Sequence, residues 1–443
     1  MQLSLTKTRY RLHLLIVFFI LCFASSCDKD DLPPSPADES GDVAYQWYKL
    51  IARIQLLANP QPVLILNHRN FGYIGVGLYE SVRPGITGSV SLASKLYQMP
   101  PMPQPELNKE YSWSSSANAA LASMFKQFLL GLTDANKASI DSLENANNTR
   151  FRLSINDEVL TRSQAFGRSI ANSIFNWSTS DNFSLSSQGY TLPVFPGSWV
   201  PTPPAFAVPV GPYLKDSRPF LSYSLTATAP PLPFSYSEDP NSNFYKEAKE
   251  VYDIGKTLTA EQKAIANWWA DAGGAGVGVP APYHLLSIVS GVLEERKVNL
   301  QQAASVYAKI GIGQKDGPIN TFRAKYQYNL VRPVTYIQKN IDPVWQSYLP
   351  TPPYPEYPSG LVGLYAPLIQ VMVREFGDIA VTDHSYDWAG IPSRQYTSFT
   401  KLIEEAAVSR IYAGIHYRST QNASLEIGKA LGNQIADIKL TAP

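Results

Sequence analysis

The sequence predicts an all-α fold, a helical bundle carrying one long proline-rich loop. Three observations lead to it. Apolar residues recur at helical spacing over most of the chain, clean two-residue alternation is absent, and prolines crowd into residues 178–240.

Taken in order, the first candidate helix carries Trp47, Leu50, Ile51, Ile54 and Leu57 on one stripe. Further helices are expected over residues 62–82, 115–132, 135–149 and 154–177, the last opening with Ser154 and Asp157 in capping-box spacing. Proline density then forbids any helix of useful length across 178–240. Disordered linkers are poor in aromatics, so Trp199, Phe206, Tyr213, Phe220, Tyr223, Phe234 and Tyr236 argue for an ordered loop packed on the helices. Helices resume near residue 243, and Thr259 with Gln262 forms a second capping-box pair. They continue over 282–296, 298–312, 317–331, 360–376, 396–413 and 422–438, where Gly428 and Gly432 would let a neighbouring helix approach closely.

The amino terminus decides the compartment. Lys7, Arg9 and Arg11 precede an apolar run from Leu12 to Phe23, then Ala24, Ser25, Ser26 and Cys27. That is a secretory signal over residues 1–26, with an apolar run too short for a comfortable membrane span. Small residues before Cys27 suggest a lipobox, with Cys27 diacylated as the first mature residue; an ordinary cleaved signal is the alternative. Residues 27–43 then read as a solvated tether, and residues 44–443 as a single domain containing the loop. Asp28-Lys29-Asp30-Asp31 resembles the surface-export signal of Bacteroidetes lipoproteins, which implies an outer-membrane protein facing outward; a plain solvated linker is the alternative reading of the same residues. Cys22 and Cys27 are the two cysteines, and cleavage discards the first, so the mature chain has no intramolecular disulfide. Charge is nearly balanced at 37 basic and 36 acidic residues, which gives no footing for nucleic acid. No later stretch is long and apolar enough to span a bilayer, so a lipid anchor is the expected membrane contact.

Three blocks in the last third carry chemistry. In Lys325-Tyr326-Gln327-Tyr328-Asn329-Leu330-Val331-Arg332-Pro333, two cations seven residues apart fall on one helical face, and Pro333 is expected to end that helix. Such a pair can hold a tetrahedral oxyanion, although most pairs at this spacing are solvated surface charge. In Pro355-Glu356-Tyr357-Pro358-Ser359-Gly360, a serine hydroxyl, a glycine and a helix start make an anion site, or simply a serine cap. In Ser409-Arg410-Ile411-Tyr412-Ala413-Gly414-Ile415-His416, a third cation precedes a histidine by six residues.

Together the blocks resemble the signature of the vanadium-dependent haloperoxidase and type-2 phosphatidic acid phosphatase superfamily: Lys, six residues, Arg-Pro; Pro-Ser-Gly-His; Ser-Arg, five residues, His, three residues, Asp. Trp268-Trp269-Ala270-Asp271, with Gly273 and Pro280 to His284 after it, and the loop around Trp199 are similar to the haloperoxidase branch. The resemblance implies that Lys325, Arg332, Arg410, Ser359 and Gly360 hold vanadate or phosphate. It implies that His416 is the axial vanadium ligand or a phosphatase nucleophile, and that Asp271 stands behind Arg410. The implied partners are peroxide and halide, or a phosphomonoester, and related enzymes often form homodimers. Two positions depart from the signature. Leu361 replaces the acid–base histidine, a loss worth about 10²–10⁴-fold in rate. Thr420 replaces the carboxylate that orients the imidazole. The sequence therefore supports two readings, an enzyme with altered chemistry or an oxyanion-binding surface lipoprotein without turnover; His284 and His384 read as structural or surface residues.

Overall fold

The computed structural model describes residues 35–56, 64–232, 234–271 and 279–442. The signal, Cys27, the tether up to residue 34, Leu57, residues 62–63 and Gly273 lie outside the described residues.

The first half is a bundle of α1 (Asp42–Leu56), α2 (Leu64–Val82), α3 (Trp113–Phe128), α4 (Asp134–Phe151) and α5 (Asp157–Ser178). The expected stripe on α1 is the buried one, with Trp47, Ile51 and Ile54 in the core. The cap of α5 differs from expectation. Asn156 accepts from Val159 N at 2.9 Å, whereas Ser154 turns back to the Phe151 carbonyl. Asparagine one residue before the helix wins because its side chain reaches the third helical N–H directly.

The loop that follows is ordered and contains a 3-10 turn at Leu214–Asp216 and a short helix, α6 (Tyr223–Thr226). Trp199 and Phe220 are fully buried in it, while Phe206 and Tyr223 are exposed. After it come α7 (Asn243–Lys256), α8 (Ala260–Trp268), with its capping box formed as expected, and α9 (Ala281–Glu295).

The second bundle is built on α10 (Leu300–Tyr328), α11 (Pro333–Asn340), α12 (Gly360–Phe376), α13 (Phe399–Tyr412) and α14 (Arg418–Ala436). Two expectations fail here. The segments 298–312 and 317–331 form one helix that runs through Pro318. Proline removes one backbone hydrogen bond, but α10 is the central helix, buried along most of its length between α2 and α12, and packing overrides the break. Its end is also earlier than expected: Asn329 adopts the left-handed conformation (φ 47°) and stops it. Arg332 is therefore not on α10. It caps the separate helix α11, whose first residue is Pro333. A two-stranded antiparallel ribbon, β1 (Val381–Asp383) and β2 (Arg394–Tyr396), was also absent from the sequence reading.

Close packing behaves as the glycines suggested. A β-carbon at Gly428 would strike Ala366, and one at Gly432 would lie 2.5 Å from the Pro367 carbonyl, so α14 lies directly on α12. Among the described residues no helix is long and apolar enough to cross a membrane.

The proline-rich loop is held over one end of this bundle by backbone. Trp199 N donates to the Asn329 carbonyl (2.7 Å), Val331 N to Gly197 (2.8 Å) and Val210 N to Pro353 (3.0 Å). Farther along, Asp316 on α10 accepts from Phe220 N and Leu221 N at 2.7 and 2.9 Å. Burial pushes that carboxyl up to about 6, against the pull of those N–H donors. The loop thus roofs the junctions around residues 329–332 and 353–359, where the three chemical blocks meet.

Candidate functional site

Lys325 ends the buried face of α10, Arg332 caps α11, Ser359 and Gly360 open α12, Arg410 lies in the last turn of α13, and His416 follows just before α14. Lys325, Arg332, Ser359, Arg410 and His416 are all buried. Hydrogen bonds and ring contacts draw them into one neighbourhood.

Lys325 donates to the carbonyls of Pro355 (2.8 Å), Glu356 (3.1 Å) and Pro358 (2.5 Å). An ammonium has three N–H bonds, and all three are committed. The expected direct bond from Lys325 to an oxyanion is therefore not what its geometry provides; it latches the 355–358 segment and contributes charge. Burial, with Arg332 nearby, holds its pKa well below the usual lysine range.

Arg332 is anchored by the Tyr354 carbonyl (3.0 Å to Nε) and the Ile415 carbonyl (2.8 Å to Nη1). Nη1 also lies 3.2 Å from His416 Nε2. Its Nη2 is buried without a partner, and so is the Ser359 hydroxyl. Ser359 does not cap α12 with its side chain, so the leading N–H groups of that helix remain available. Gly360 keeps the approach open: a β-carbon there would lie 3.2 Å from the Tyr354 hydroxyl. Arg410 is fixed by Ser409 Oγ (3.0 Å to Nε) and by the Trp269 carbonyl.

His416 has a partner the sequence reading missed. Its Nδ1 lies 2.7 Å from Glu356 Oε1. Tyr417 N donates to the same oxygen at 3.1 Å, and the Thr420 hydroxyl to Oε2 at 2.8 Å. The carboxylate absent at position 420 is thus supplied by Glu356 from another segment, with Thr420 steering it. Burial pushes Glu356 up to about 7, although the Arg332 charge opposes this. Burial and the charges of Arg332, Lys325 and Arg410 hold the imidazole well below its usual range, so it is neutral. Neutral His416 therefore donates from Nδ1 and keeps a lone pair on Nε2, facing Arg332.

Asp271 stands differently from expectation. It binds His284 Nδ1 (2.8 Å) and the Tyr365 hydroxyl (2.5 Å), and it reaches Arg410 through its charge rather than by a hydrogen bond. His284 Nε2 lies 2.7 Å from Asp383. Although burial opposes protonation, the two carboxylates raise His284 to about 10. Clamped and charged, it has no free nitrogen for acid–base work. His384 is half exposed and paired with Asp387 and Glu295. Leu361 packs into the main hydrophobic core, and neither histidine replaces the one missing there.

Comparison with known proteins bears on the fold. A family model described as the VCPO second helical-bundle domain matches residues 305–441, which hold every residue of the cradle. The crystal structure of a bacterial vanadium-dependent iodoperoxidase superposes with a TM-score of 0.81 at 27% identity, covering 91% of this chain and 98% of that one. Over residues 305–441 the chain is similar to the vanadium haloperoxidase superfamily, and its helical fold is that of the solved bacterial haloperoxidases. Holo and apo crystal structures of a bacterial vanadium-dependent chloroperoxidase share the fold at 18% identity, with TM-scores of 0.63 and 0.64, each covering 86% of this chain and 93% and 94% of theirs. No curated protein sequence matches it.

The residues present fit an oxyanion. Beside three buried cations, two orphaned donors and an uncapped helix start leave polar groups that only a ligand or water can satisfy.

Proposed function

We propose that this protein binds vanadate, or phosphate in its place, in the cradle of Arg332, Arg410, Ser359, the start of α12 and His416, and that it is a haloperoxidase-type enzyme of altered efficiency. The observation that carries the reading is the pair of buried, unpartnered donors, Arg332 Nη2 and Ser359 Oγ, set beside His416 Nε2. Leaving them unsatisfied costs about 1–3 kcal/mol per group, more for the charged one.

When bound, vanadate supplies the Lewis-acid centre at which peroxide becomes able to oxidise halide. Everything else belongs to the chain. Arg332 and Ser359 orient the anion with directed N–H and O–H groups, and Arg410 adds charge from the opposite segment. Lys325 holds the 355–358 strap and contributes charge without a bond of its own. Glu356 keeps the His416 proton on Nδ1, so that Nε2 presents its lone pair to the cradle. The proline-rich loop covers the site and excludes water.

Iodide is the first halide to examine, because a similar structure is that of an iodoperoxidase. Calorimetric titration with orthovanadate and with phosphate, followed by an iodide-oxidation assay with peroxide, tests the proposal. Binding of either anion is expected, and failure of both to bind would end it. Leu361 favours a second reading, an oxyanion-binding protein without turnover; tight binding with no halide oxidation or phosphoester hydrolysis would select it.

The envelope assignment rests on the sequence: a lipidated Cys27 anchoring the protein to the outer membrane. Mass spectrometry of the native protein checks it, and an amino terminus free of acyl chains would refute it.

A further inference from the structure

The replacement of the signature histidine by Leu361 leaves one question at the start of α12: which side chain now meets an anion there. The histidines do not. His284 is clamped between Asp271 and Asp383, and His384 is paired at the surface. Most nearby phenols are committed as well. Tyr365 donates to Asp271, Tyr386 to the Trp268 carbonyl and Tyr417 to the Val331 carbonyl.

Tyr354 is different. Its ring lies over two of the three cations, with the centroid 4.7 Å from Lys325 Nζ and 5.2 Å from Arg332 Cζ. Phe322 holds the ring edge-on at 5.2 Å, and the Tyr354 backbone carbonyl is tied to Arg332 Nε. The hydroxyl is the atom closest to where a Gly360 β-carbon would project, 3.2 Å away, so it stands at the first residue of α12. Among the described residues it has no hydrogen-bond partner. A half-buried phenol thus runs from the cations to the helix start and presents a free O–H beside the residue that carries the leucine.

We propose that the Tyr354 hydroxyl is a hydrogen-bond donor to the bound oxyanion, occupying the role in binding that Leu361 has vacated. The geometry suits donation, because the hydroxyl stands at α12's N-terminus beside Ser359, whose hydroxyl is unpartnered, on a ring that lies over Arg332, whose Nη2 is unpartnered as well. Burial raises the phenol's pKa, although Arg332 and Arg410 oppose this, so it keeps its proton through the neutral range. A neutral phenol donates and steers; it does not restore the proton exchange that an imidazole performs near neutral pH. The inference rests on the oxyanion reading above.

The test is Tyr354→Phe, which keeps the ring and its stacking and deletes only the hydroxyl. Orthovanadate and inorganic phosphate are titrated calorimetrically into the wild type, Tyr354→Phe, and Tyr326→Phe as a nearby control whose hydroxyl binds the Val210 carbonyl. The expected result is a loss of affinity of about tenfold or more for both anions in Tyr354→Phe, since hydrogen bonds to charged groups are the stronger kind. Ligand-free melting temperature should stay that of the wild type, and Tyr326→Phe should bind like it. Equal or tighter binding by Tyr354→Phe overturns the inference while leaving the oxyanion site intact. An equal loss in Tyr326→Phe overturns it too, because loop packing would then explain the effect. Failure of the wild type to bind either anion overturns the inference and the site reading together.

Discussion

Glu356 offers the sharpest test of how the site is held. Its carboxylate accepts from His416 Nδ1, Tyr417 N and the Thr420 hydroxyl, and it is wholly buried. Glu356→Ala would leave these three donors without an acceptor. Each unsatisfied group costs about 1–3 kcal/mol, so the loss should be about 3 kcal/mol or more. The carboxylate is also a counter-charge for the buried Lys325 and Arg332, which deepens the loss. Glu356→Gln retains one carbonyl oxygen for His416 and Tyr417, but its amide cannot accept from Thr420, so about 1–2 kcal/mol is expected. Denaturant unfolding gives both values. Nitrogen-15 spectra of His416 provide a second measure that packing alone would not move: the proton should sit on Nδ1 in the wild type and lose that preference in Glu356→Ala. An alanine variant within about 1 kcal/mol of the wild type, or a wild-type proton on Nε2, would refute the reasoning.

Two further outcomes follow from the same geometry. If the missing imidazole limits turnover, Leu361→His should raise peroxide-dependent iodide oxidation by about a hundredfold or more, measured as iodine formation under saturating orthovanadate; an unchanged rate would locate the limitation elsewhere. His68 is buried on α2 against Gln314, and burial lowers its pKa from 6.5 to about 4. Its folded pKa is depressed, so the neutral form's contribution is present above pH 6.5 and lost as pH falls toward 4, by up to about 3 kcal/mol. His68→Gln should flatten that part of the stability profile in denaturant melts at successive pH values, and an unaltered slope would exclude His68 as its source.

What the sequence disclosed and what it hid divide along a physical line. Lys325, Arg332, Ser359, Arg410 and His416 were legible because each block carries its chemistry within a few residues, and the blocks keep a fixed order. The helices were legible from periodicity, down to the Thr259 cap. Breaks that depend on tertiary packing were not: Pro318 inside α10 and the left-handed Asn329 both needed the neighbouring helices to be seen. Glu356 was hidden in plain view. It lies three residues before Ser359, yet its partner His416 is sixty residues away, and nothing in local spacing announces such a pair. Tyr354 gave no signal of its own, because its place over Lys325 and Arg332 comes from how the ring folds back on the end of α10.

The two departures from the signature are therefore not equivalent. Thr420 changes little in kind, because the carboxylate it replaces has been relocated to Glu356 and Thr420 itself donates to it. One hydrogen-bond network now links the site: Ser359 N donates to Ser424 Oγ (2.9 Å), and Ser424 to the Thr420 carbonyl (2.6 Å), behind the Thr420–Glu356–His416 contacts. Leu361 changes the chemistry, because no described imidazole or carboxylate with free proton capacity stands in its place. On the proposed reading, the groups that orient and charge-balance the anion are kept, while the one that would exchange protons at its far side is not. A site in that condition should bind its oxyanion with the strength of an intact relative and turn over more slowly than one. Affinity and rate should then respond to different residues, Arg332, Ser359 and Tyr354 governing the first and position 361 the second.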